Sequence, residues 1–361
     1  MKTEHGVPAY LELYRRFRDD IVKGVYPYGT KLPSKRTAAD LAGLSVVTVE
    51  HAFALLCEEG YIESRERSGY FVIFRTDDGF VASAERASTV VPSEFTAQPH
   101  SAPTFPFSVL AKTMRGVMND FGTDILQKSP NAGCLRLREA IAQYLARSRG
   151  IVTDGAHIVI GSGAEYLYTL VVELLGRTRI FGIESPCYQK IEQVYRAFDV
   201  PCRLLPLGED GIESAALWSS NASVLHISPY RSFPSGVTAS ASKRHEYLRW
   251  ASSGERIIVE DDFESEFSLS RKPEETLFSH AEHDNVIYMN TFSKTVSPAL
   301  RVGYMVLPEP LLALFERKLG FYSCTVPTFE QLVLARLIEN GDFERHINRH
   351  RRRARKQNGE R

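Results

Sequence analysis

The sequence predicts a small helix-turn-helix domain followed by a larger α/β domain, in which a mostly parallel sheet carries helices on both faces. Near the N-terminus, two short helical segments joined by a tight turn precede two β-like runs around a charged turn. Further along, segments of helical length such as 135–149, 165–175 and 240–251 alternate with apolar runs near positions 157, 179, 202, 224, 256, 286 and 302. Such alternation is typical of a parallel sheet covered by helices.

The composition indicates a globular protein of two domains. The 361 residues are 43% hydrophobic and 24% charged, and 44 basic side chains balance 44 acidic ones. Zero net charge argues against general adhesion to nucleic acids or membranes. The sequence shows no signal peptide and no membrane span, and its five cysteines lack metal-ligand spacing. We therefore expect reduced thiols, no metal site, no membrane contact and a cytoplasmic location.

Residues 1–75 carry the signals of three helices and a hairpin. The first helix begins after Pro8. Its apolar face is formed by Leu11, Tyr14, Phe17 and Ile21. Ser34 is the predicted N-cap of a second helix that Gly43 ends, and Ser45 is the predicted N-cap of a third helix that runs to Gly60. The β-like runs of residues 61–73 follow these helices.

Residues 76–106 are predicted to link the two domains. This stretch lacks aliphatic periodicity and is rich in Ala, Ser, Thr and Pro, with prolines at positions 92, 99, 103 and 106. Such a linker would let the first domain sit away from the second, which we assign to residues 107–361.

Lys294 is the most informative residue of the second domain. Thr291 and Ser293 precede it and Arg301 follows, so one short segment offers an amine, hydroxyl donors and a fixed positive charge. These groups suit the binding of a phosphorylated aldehyde such as pyridoxal 5'-phosphate (PLP) through an imine. Taken alone, the segment is equally compatible with a Ser/Thr-rich loop that carries a solvated lysine.

Asp261 ends a predicted buried strand, at the sheet edge where α/β proteins bind their ligands. A carboxylate there could keep a pyridine nitrogen protonated, and a protonated ring withdraws electrons from a bound amine. The alternative is that Asp261 and Asp262 only cap the following helix.

Two further motifs suit a flat, phosphorylated ligand. Gly163 and Ala164 lie between a predicted strand and a helix start, where free backbone N–H groups and the helix dipole can meet a phosphate. Tyr188 follows another strand end and could stack on a heterocycle, although an aromatic side chain there is more often part of the core. A turn-rich loop at 228–236 follows a further strand.

The order of these motifs resembles that of fold-type I aminotransferases, in the version carried by MocR/GabR-type regulators. The matching segments are Ser-Gly-Ala at 162–164, Glu-x-Pro-x-Tyr at 184–188, Ser-Pro-x-x-x-Phe-Pro-Ser-Gly at 228–236, Glu-Asp-Asp-Phe-Glu-Ser-Glu-Phe at 260–267, Thr-Phe-Ser-Lys at 291–294 and Leu-Arg-Val-Gly-Tyr at 300–304. This resemblance implies a PLP-dependent transferase-like fold with PLP bound as an imine on Lys294. The other implied cofactor-binding residues are Gly163, Ala164, Tyr188, Asp261, Thr291, Ser293 and Arg301.

The first domain resembles the winged helix of GntR-type regulators. The matching stretches are Gly-Thr-Lys-Leu-Pro-Ser-Lys-Arg at 29–36 and Glu-Glu-Gly-Tyr-Ile-Glu-Ser-Arg at 58–65. The resemblance implies that the third helix enters the major groove of an operator and that the hairpin is the wing. Each basic residue among the predicted contacts is equally compatible with a solvated surface charge. The predicted DNA-binding residues are Lys31, Ser34, Lys35, Arg36, Ser45, Thr48, His51, Arg65 and Arg67.

Several departures from the family pattern bear on function. Val46 stands where many relatives have an arginine, so base readout must rest on other residues. Phe263 replaces a tyrosine that bonds the phenolic oxygen of the cofactor, and Phe cannot donate that bond. Tyr-Arg-Ser at 230–232 replaces Ser-His-Gln. We also expect the chain to be C-terminally truncated, so that it lacks most of the small domain and the arginine that grips a substrate carboxylate.

The leading hypothesis is a PLP-binding transcriptional regulator that senses a small amine or PLP itself and binds operator DNA as a homodimer. The ligand would shift the protein between two DNA-binding states. Two alternatives stay open, namely an active PLP-dependent aminotransferase with an appended DNA-binding module and a degenerate DNA-binding paralogue without cofactor. We expect negligible transaminase turnover, because a substrate would lack its carboxylate clamp.

Overall fold

The computed structural model of the chain describes residues 8–75, 105–268 and 275–359. It divides into two compact units, with the boundary between Ala97 and Gln98. Most of the predicted linker, residues 76–104, lies outside the described residues.

The N-terminal unit is a winged helix, as the sequence predicts. Its elements are α1 (Ala9–Val22), α2 (Lys35–Ala42), α3 (Val46–Glu58), β1 (Ile62–Arg65) and β2 (Gly69–Val72). Both predicted caps form, because the N–H of Thr37 donates to Ser34 Oγ (3.1 Å) and the N–H of Thr48 donates to Ser45 Oγ (3.2 Å). Gly43 ends α2 in the left-handed conformation, at φ 64°. The two strands pair antiparallel and form the wing.

Phe53 lies at the centre of the core of this unit. Its side chain is fully buried, and its ring meets the rings of Phe17 and Tyr70 edge-on at centroid distances of 5.3 Å and 5.0 Å. The buried stripe of α1 includes Leu13, whereas Leu11, which the sequence analysis placed on this face, is only half-buried. Packing of α1 and the wing against Phe53 therefore holds α3 in place.

Replacing Phe53 with alanine should destabilise this unit by about 3–5 kcal/mol, because the change removes a buried ring and leaves a cavity. Hydrogen exchange of the α3 amides in the full chain measures the effect as faster exchange. Leu41→Ala is the control, since the Leu41 side chain is 77% exposed, and it should change protection little. Unchanged exchange in the Phe53 variant would contradict this account of the core.

The C-terminal unit is a layered α/β structure. Its strands are β3 (Ile158–Gly161), β4 (Phe181–Ser185), β5 (Cys202–Gly208), β6 (Gly211–Ile212), β7 (Val224–Ile227), β8 (Ile257–Asp261), β9 (Val286–Thr291) and β10 (Gly303–Val306). Its α-helices are α4 (Phe107–Phe121), α5 (Leu135–Arg149), α6 (Ala164–Leu175), α7 (Gln189–Ala197), α8 (Ser214–Ser219), α9 (Ala241–Ser252), α10 (Leu277–His280), α11 (Glu309–Leu319), α12 (Thr328–Glu339) and α13 (Asp342–Gly359).

All eight strands form one sheet, in the order β3-β10-β9-β8-β7-β4-β5-β6. Strands β9, β8, β7, β4 and β5 are parallel, β10 runs antiparallel to both of its neighbours, and β6 pairs antiparallel with β5. The predicted mostly parallel sheet is confirmed. Strand β6 was not predicted, because two residues are too few to show a periodic pattern.

Helices cover both faces of this sheet. Tyr304 in β10 packs into an apolar core with residues of α5 and α12, whereas the adjacent Met305 packs into a second core with residues of α6 and α11. Successive side chains of a strand point to opposite faces, so these two cores lie on opposite sides. In the part of the chain that the structure describes, no single helix is long and apolar enough to cross a membrane, and α2 with α3 reaches that length only across a 115° bend.

Candidate functional site

A cavity of about 320 Å³ opens at the carboxyl edge of the parallel strands. Strands β8 and β9 end here at Asp261 and Thr291, and α6 begins here at Ala164. Because parallel strands all end at the same edge, residues that are distant in the sequence meet at this cavity. Its lining residues are Ala164, Glu165, Tyr168, Tyr188, Ile191, Phe233, Asp261, Phe263, Thr291, Ser293, Lys294 and Arg301.

Lys294 lies in the loop after β9, with its side chain 38% exposed toward the cavity. Its amine forms an ion pair with Glu264 and lies 4.3 Å from the centre of the Phe263 ring. Glu264 also lies 3.9 Å from Arg231 Nε, so one carboxylate stands between the two cations. Glu264 could not be predicted as the partner of Lys294, because the two residues are 30 positions apart in the sequence.

Asp261 is buried among polar side chains and accepts a hydrogen bond from one of them. Tyr168 donates its hydroxyl hydrogen to Asp261 Oδ2 at 2.5 Å, and His226 Nε2 lies 3.6 Å from the same oxygen. Tyr195 Oη lies 2.5 Å from the other ring nitrogen of His226. Burial and the charge of Asp261 raise the pKa of Tyr168 well above its usual value, so Tyr168 remains a hydrogen-bond donor. Asp261 is thus fixed at the cavity and does not cap a helix.

The glycine turn before α6 faces Arg301. Gly163 has φ 92°, a backbone conformation that favours glycine, and a Cβ at this position would approach the Arg301 guanidinium to 3.2 Å. The prediction of a free N–H at Gly163 is wrong, because this N–H donates to Gly161 O at 2.9 Å. Ala164, the first residue of α6, remains a predicted anion-binding residue of this turn.

The remaining cavity wall is aromatic on one side and hydroxylated on the other. The rings of Tyr188 and Phe233 meet nearly perpendicular at 6.3 Å between centroids, and both line the cavity. Thr291 is buried and Ser293 reaches the cavity from the loop after β9. Together with the buried Asp261, these groups match the amine, pyridine, ring-face and phosphate requirements of PLP, so the residues fit the cofactor. The role of each residue remains a prediction.

Three further residues at the site, Tyr168, Glu165 and His226, were not predicted from the sequence. Tyr168 could have been found, because it stands four residues after Ala164 on α6 and so lies on the same helix face. Glu165 gave no such signal, and it binds Arg301 Nη2 at 2.7 Å and also pairs with Lys190. His226 lies inside an apolar strand and gave no signal of its own.

The predicted DNA-binding side chains of the N-terminal unit are exposed or half-buried. Two of the basic ones already have acidic partners within the unit. Lys35 Nζ lies 2.6 Å from Glu50, which projects from α3. Arg65 lies 2.6 Å from Glu63 and its guanidinium stands over the Phe71 ring at 4.4 Å. Ser34 and Ser45 act as helix caps, which leaves their contact with DNA a prediction.

Comparison with known proteins assigns each unit to a family. Residues 9–72 match the gntR family of bacterial regulatory proteins. Residues 104–359 match the family of class I and II aminotransferases. The uncharacterized HTH-type transcriptional regulator YdeL of Bacillus subtilis is 32% identical over 97% of this chain and 77% of its own length. The HTH-type pyridoxine biosynthesis transcriptional regulator PdxR of Corynebacterium glutamicum is 26% identical over 94% of this chain and 75% of its own length.

Solved structures that resemble the C-terminal unit are also aminotransferases. A kynurenine aminotransferase of Pyrococcus horikoshii superposes with a TM-score of 0.63 at 27% identity and covers 70% of this chain, which spans 65% of that enzyme's length. Fold and site thus define a DNA-binding transcriptional regulator with a PLP-binding domain of the aminotransferase type. The chain belongs to the MocR-type GntR regulators, in which a winged helix is joined to an aminotransferase class I and II domain.

Glu184, in β4, provides a test of the electrostatics beside the cavity. It is buried, and it accepts hydrogen bonds from Ser232 Oγ (2.6 Å) and the N–H of Ser228 (3.2 Å). Burial raises the pKa of Glu184 to about 7. Since this value exceeds that of the unfolded chain, about 4.3, its contribution to stability is complete at low pH and is lost as pH rises through about 7.

Glu184→Gln should remove this dependence. As pH rises from about 5 to about 8, the unfolding free energy of the variant relative to that of wild type should increase by up to about 3 kcal/mol. Urea unfolding followed by tryptophan fluorescence measures it, because both tryptophans, Trp218 and Trp250, lie in the C-terminal unit. The exposed Glu316→Gln is the control. A stability difference that does not change with pH would contradict the titration of Glu184.

Proposed function

We propose that the cavity holds PLP on Lys294 and that PLP itself, or a small amine that reacts there, is the effector of this regulator. The observation that carries the proposal is the convergence of Lys294, Asp261 and Arg301, from three separate elements, on one cavity of about 320 Å³. Amine, carboxylate and guanidinium are the three groups that an aldehyde, a pyridine nitrogen and a phosphate require.

Each of these residues has a distinct task in the proposal. Lys294 binds the cofactor covalently, and Arg301 with the N–H of Ala164 binds the phosphate. Asp261 accepts a hydrogen bond from the protonated pyridine nitrogen, while Tyr168 fixes the orientation of the carboxylate. When bound, PLP supplies an electrophilic carbon that a primary amine can attack. Tyr188 packs against the ring and limits the access of water.

A ligand can regulate DNA binding only if it binds two conformations of the protein with different affinity. The loops that carry Phe233 and Lys294 border the cavity, so their closure on a ligand is the conformational change that we propose. The relative PdxR is named a regulator of pyridoxine biosynthesis, which supports PLP as one effector. A primary amine remains the other candidate.

We further propose that the regulator is a homodimer. The C-terminal unit exposes large apolar side chains, among them Leu126 (81%), Phe107 (79%) and Phe321 (71%). Exposed apolar surface of this kind favours association. A dimer would also present two winged helices to the two half-sites of an operator. Sedimentation of the purified protein measures its mass directly.

Lys294→Ala should abolish covalent binding of PLP, because Lys294 is the one cavity-lining residue with a primary amine among the residues that the structure describes. After borohydride reduction, mass spectrometry of the wild-type protein should find the added PLP mass on the peptide that contains Lys294, and the variant should carry none. Lys112→Ala, an exposed residue of α4, is the control and should label as wild type. Undiminished labelling of the Lys294 variant would overturn the assignment.

Lys35→Ala combined with Arg36→Ala should weaken binding to all DNA sequences, because these residues are proposed to contact phosphates. Removal of the Lys35 amine also leaves Glu50 without its cation, which adds repulsion. Fluorescence anisotropy with a duplex from upstream of the regulator's own gene, measured against salt concentration, should show a slope smaller by about 1 for each phosphate that the variant no longer binds.

Thr48→Ala and His51→Ala should instead alter which sequence is preferred, because both residues lie on α3. Lys23→Ala, at the exposed C-terminal end of α1, is the control for both sets. An identical salt slope in the Lys35 and Arg36 variant, or unchanged preference in the α3 variants, would remove these residues from the DNA interface.

A further inference from the structure

The proposed phosphate-binding residue, Arg301, already has an anionic partner. Glu165 Oε2 lies 2.7 Å from Arg301 Nη2, and the other carboxylate oxygen of Glu165 pairs with Lys190. Glu165 follows Ala164 in the first turn of α6, where the helix dipole also favours negative charge. The hydrogen bond from Lys190, together with the charge of Arg301, lowers the pKa of Glu165. Its carboxylate is therefore ionised and stands where a phosphate would bind.

A carboxylate and a phosphate cannot both take this position without cost. The guanidinium of Arg301 can bind either anion through the same N–H groups, and two anions within a few ångströms of each other repel. Glu165 lines the cavity, so a phosphate that reaches Arg301 must displace the carboxylate or lie beside it. Either arrangement lowers the affinity for a phosphorylated ligand below what Arg301 and the helix start would give alone.

We propose that Glu165 is an internal counter-anion that competes with the phosphate of PLP for Arg301 and so determines how readily PLP leaves the site. This inference rests on the proposed function, in which Arg301 binds that phosphate. Its consequence is that PLP behaves as an exchangeable ligand, whose occupancy follows its concentration. A site that released its ligand very slowly could not report that concentration.

Glu165→Gln tests the proposal, because glutamine has nearly the same shape and can still accept hydrogen bonds but carries no charge. Equilibrium dialysis of PLP-free full-length protein against PLP should show a dissociation constant about tenfold lower in the variant. Pyridoxal, which has the aldehyde and ring but no phosphate, should bind wild type and variant equally. Inorganic phosphate should inhibit PLP binding at lower concentration in the variant.

The matched control is Glu173→Gln. Glu173 lies on the same helix and forms an ion pair with Arg177 (2.7 Å), but it does not line the cavity. This control should bind PLP as wild type does. Glu165→Ala is a second variant with the same expected direction, and thermal melts of both variants verify folding.

An unchanged or weaker PLP affinity in the two Glu165 variants would overturn the proposal. An equal gain for pyridoxal would also overturn it, because the effect would then not act through the phosphate. Failure of the proposed function gives a different result, in which wild-type protein carries no PLP on Lys294. The two failures are therefore distinguishable in the same set of preparations.

Discussion

A buried run of carboxylates at the end of β8 is the constraint on which the C-terminal unit depends. Glu260, Asp261 and Asp262 are all buried, and a buried ionised carboxylate without partners costs several kcal/mol. Each of the three carboxylates is compensated by different partners. Asp262 binds Arg149 Nε at 2.9 Å, Asp261 accepts from Tyr168, and Glu260 accepts two backbone N–H groups at the start of α10. Burial still raises the pKa of Glu260 to about 8, so these two hydrogen bonds do not fully compensate its burial.

The local parts of this arrangement could be predicted from the sequence, and the long-range parts could not. Strand ends, caps and the glycine turn depend on neighbouring residues, so the sequence placed Asp261 at the end of its strand and Gly163 in the turn before α6, as the structure has them. The pairs of Lys294 with Glu264 and Arg301 with Glu165 join residues 30 and 136 positions apart. An apolar run also carries no information on strand direction, which is why the antiparallel β10 was not foreseen.

In the winged helix, too, local features could be predicted from the sequence and contacts between separate elements could not. Its caps follow from serine at two positions, and the structure forms both. The pair of Lys35 with Glu50 joins the starts of α2 and α3, and no local rule predicts it. Both helices belong to the helix-turn-helix motif, so this pair neutralises a cation within that motif. Exposed pairs of this kind contribute little to stability, and their main effect is on the charge that DNA meets.

In both the winged helix and the cavity, the cations that a ligand would meet are already paired with carboxylates. An anion that approaches Lys35, Arg301 or Lys294 meets a cation that already has a carboxylate partner. Binding is then an exchange of ion pairs, and its net free energy is smaller than that of adding an anion to a free cation. The whole chain shows the same balance of charge, because its 44 basic side chains equal its 44 acidic ones in number. Affinity must therefore come from several contacts made at once, such as covalent attachment, ring packing and phosphate binding. Because all of these contacts are needed, the site selects a ligand that can make every one of them.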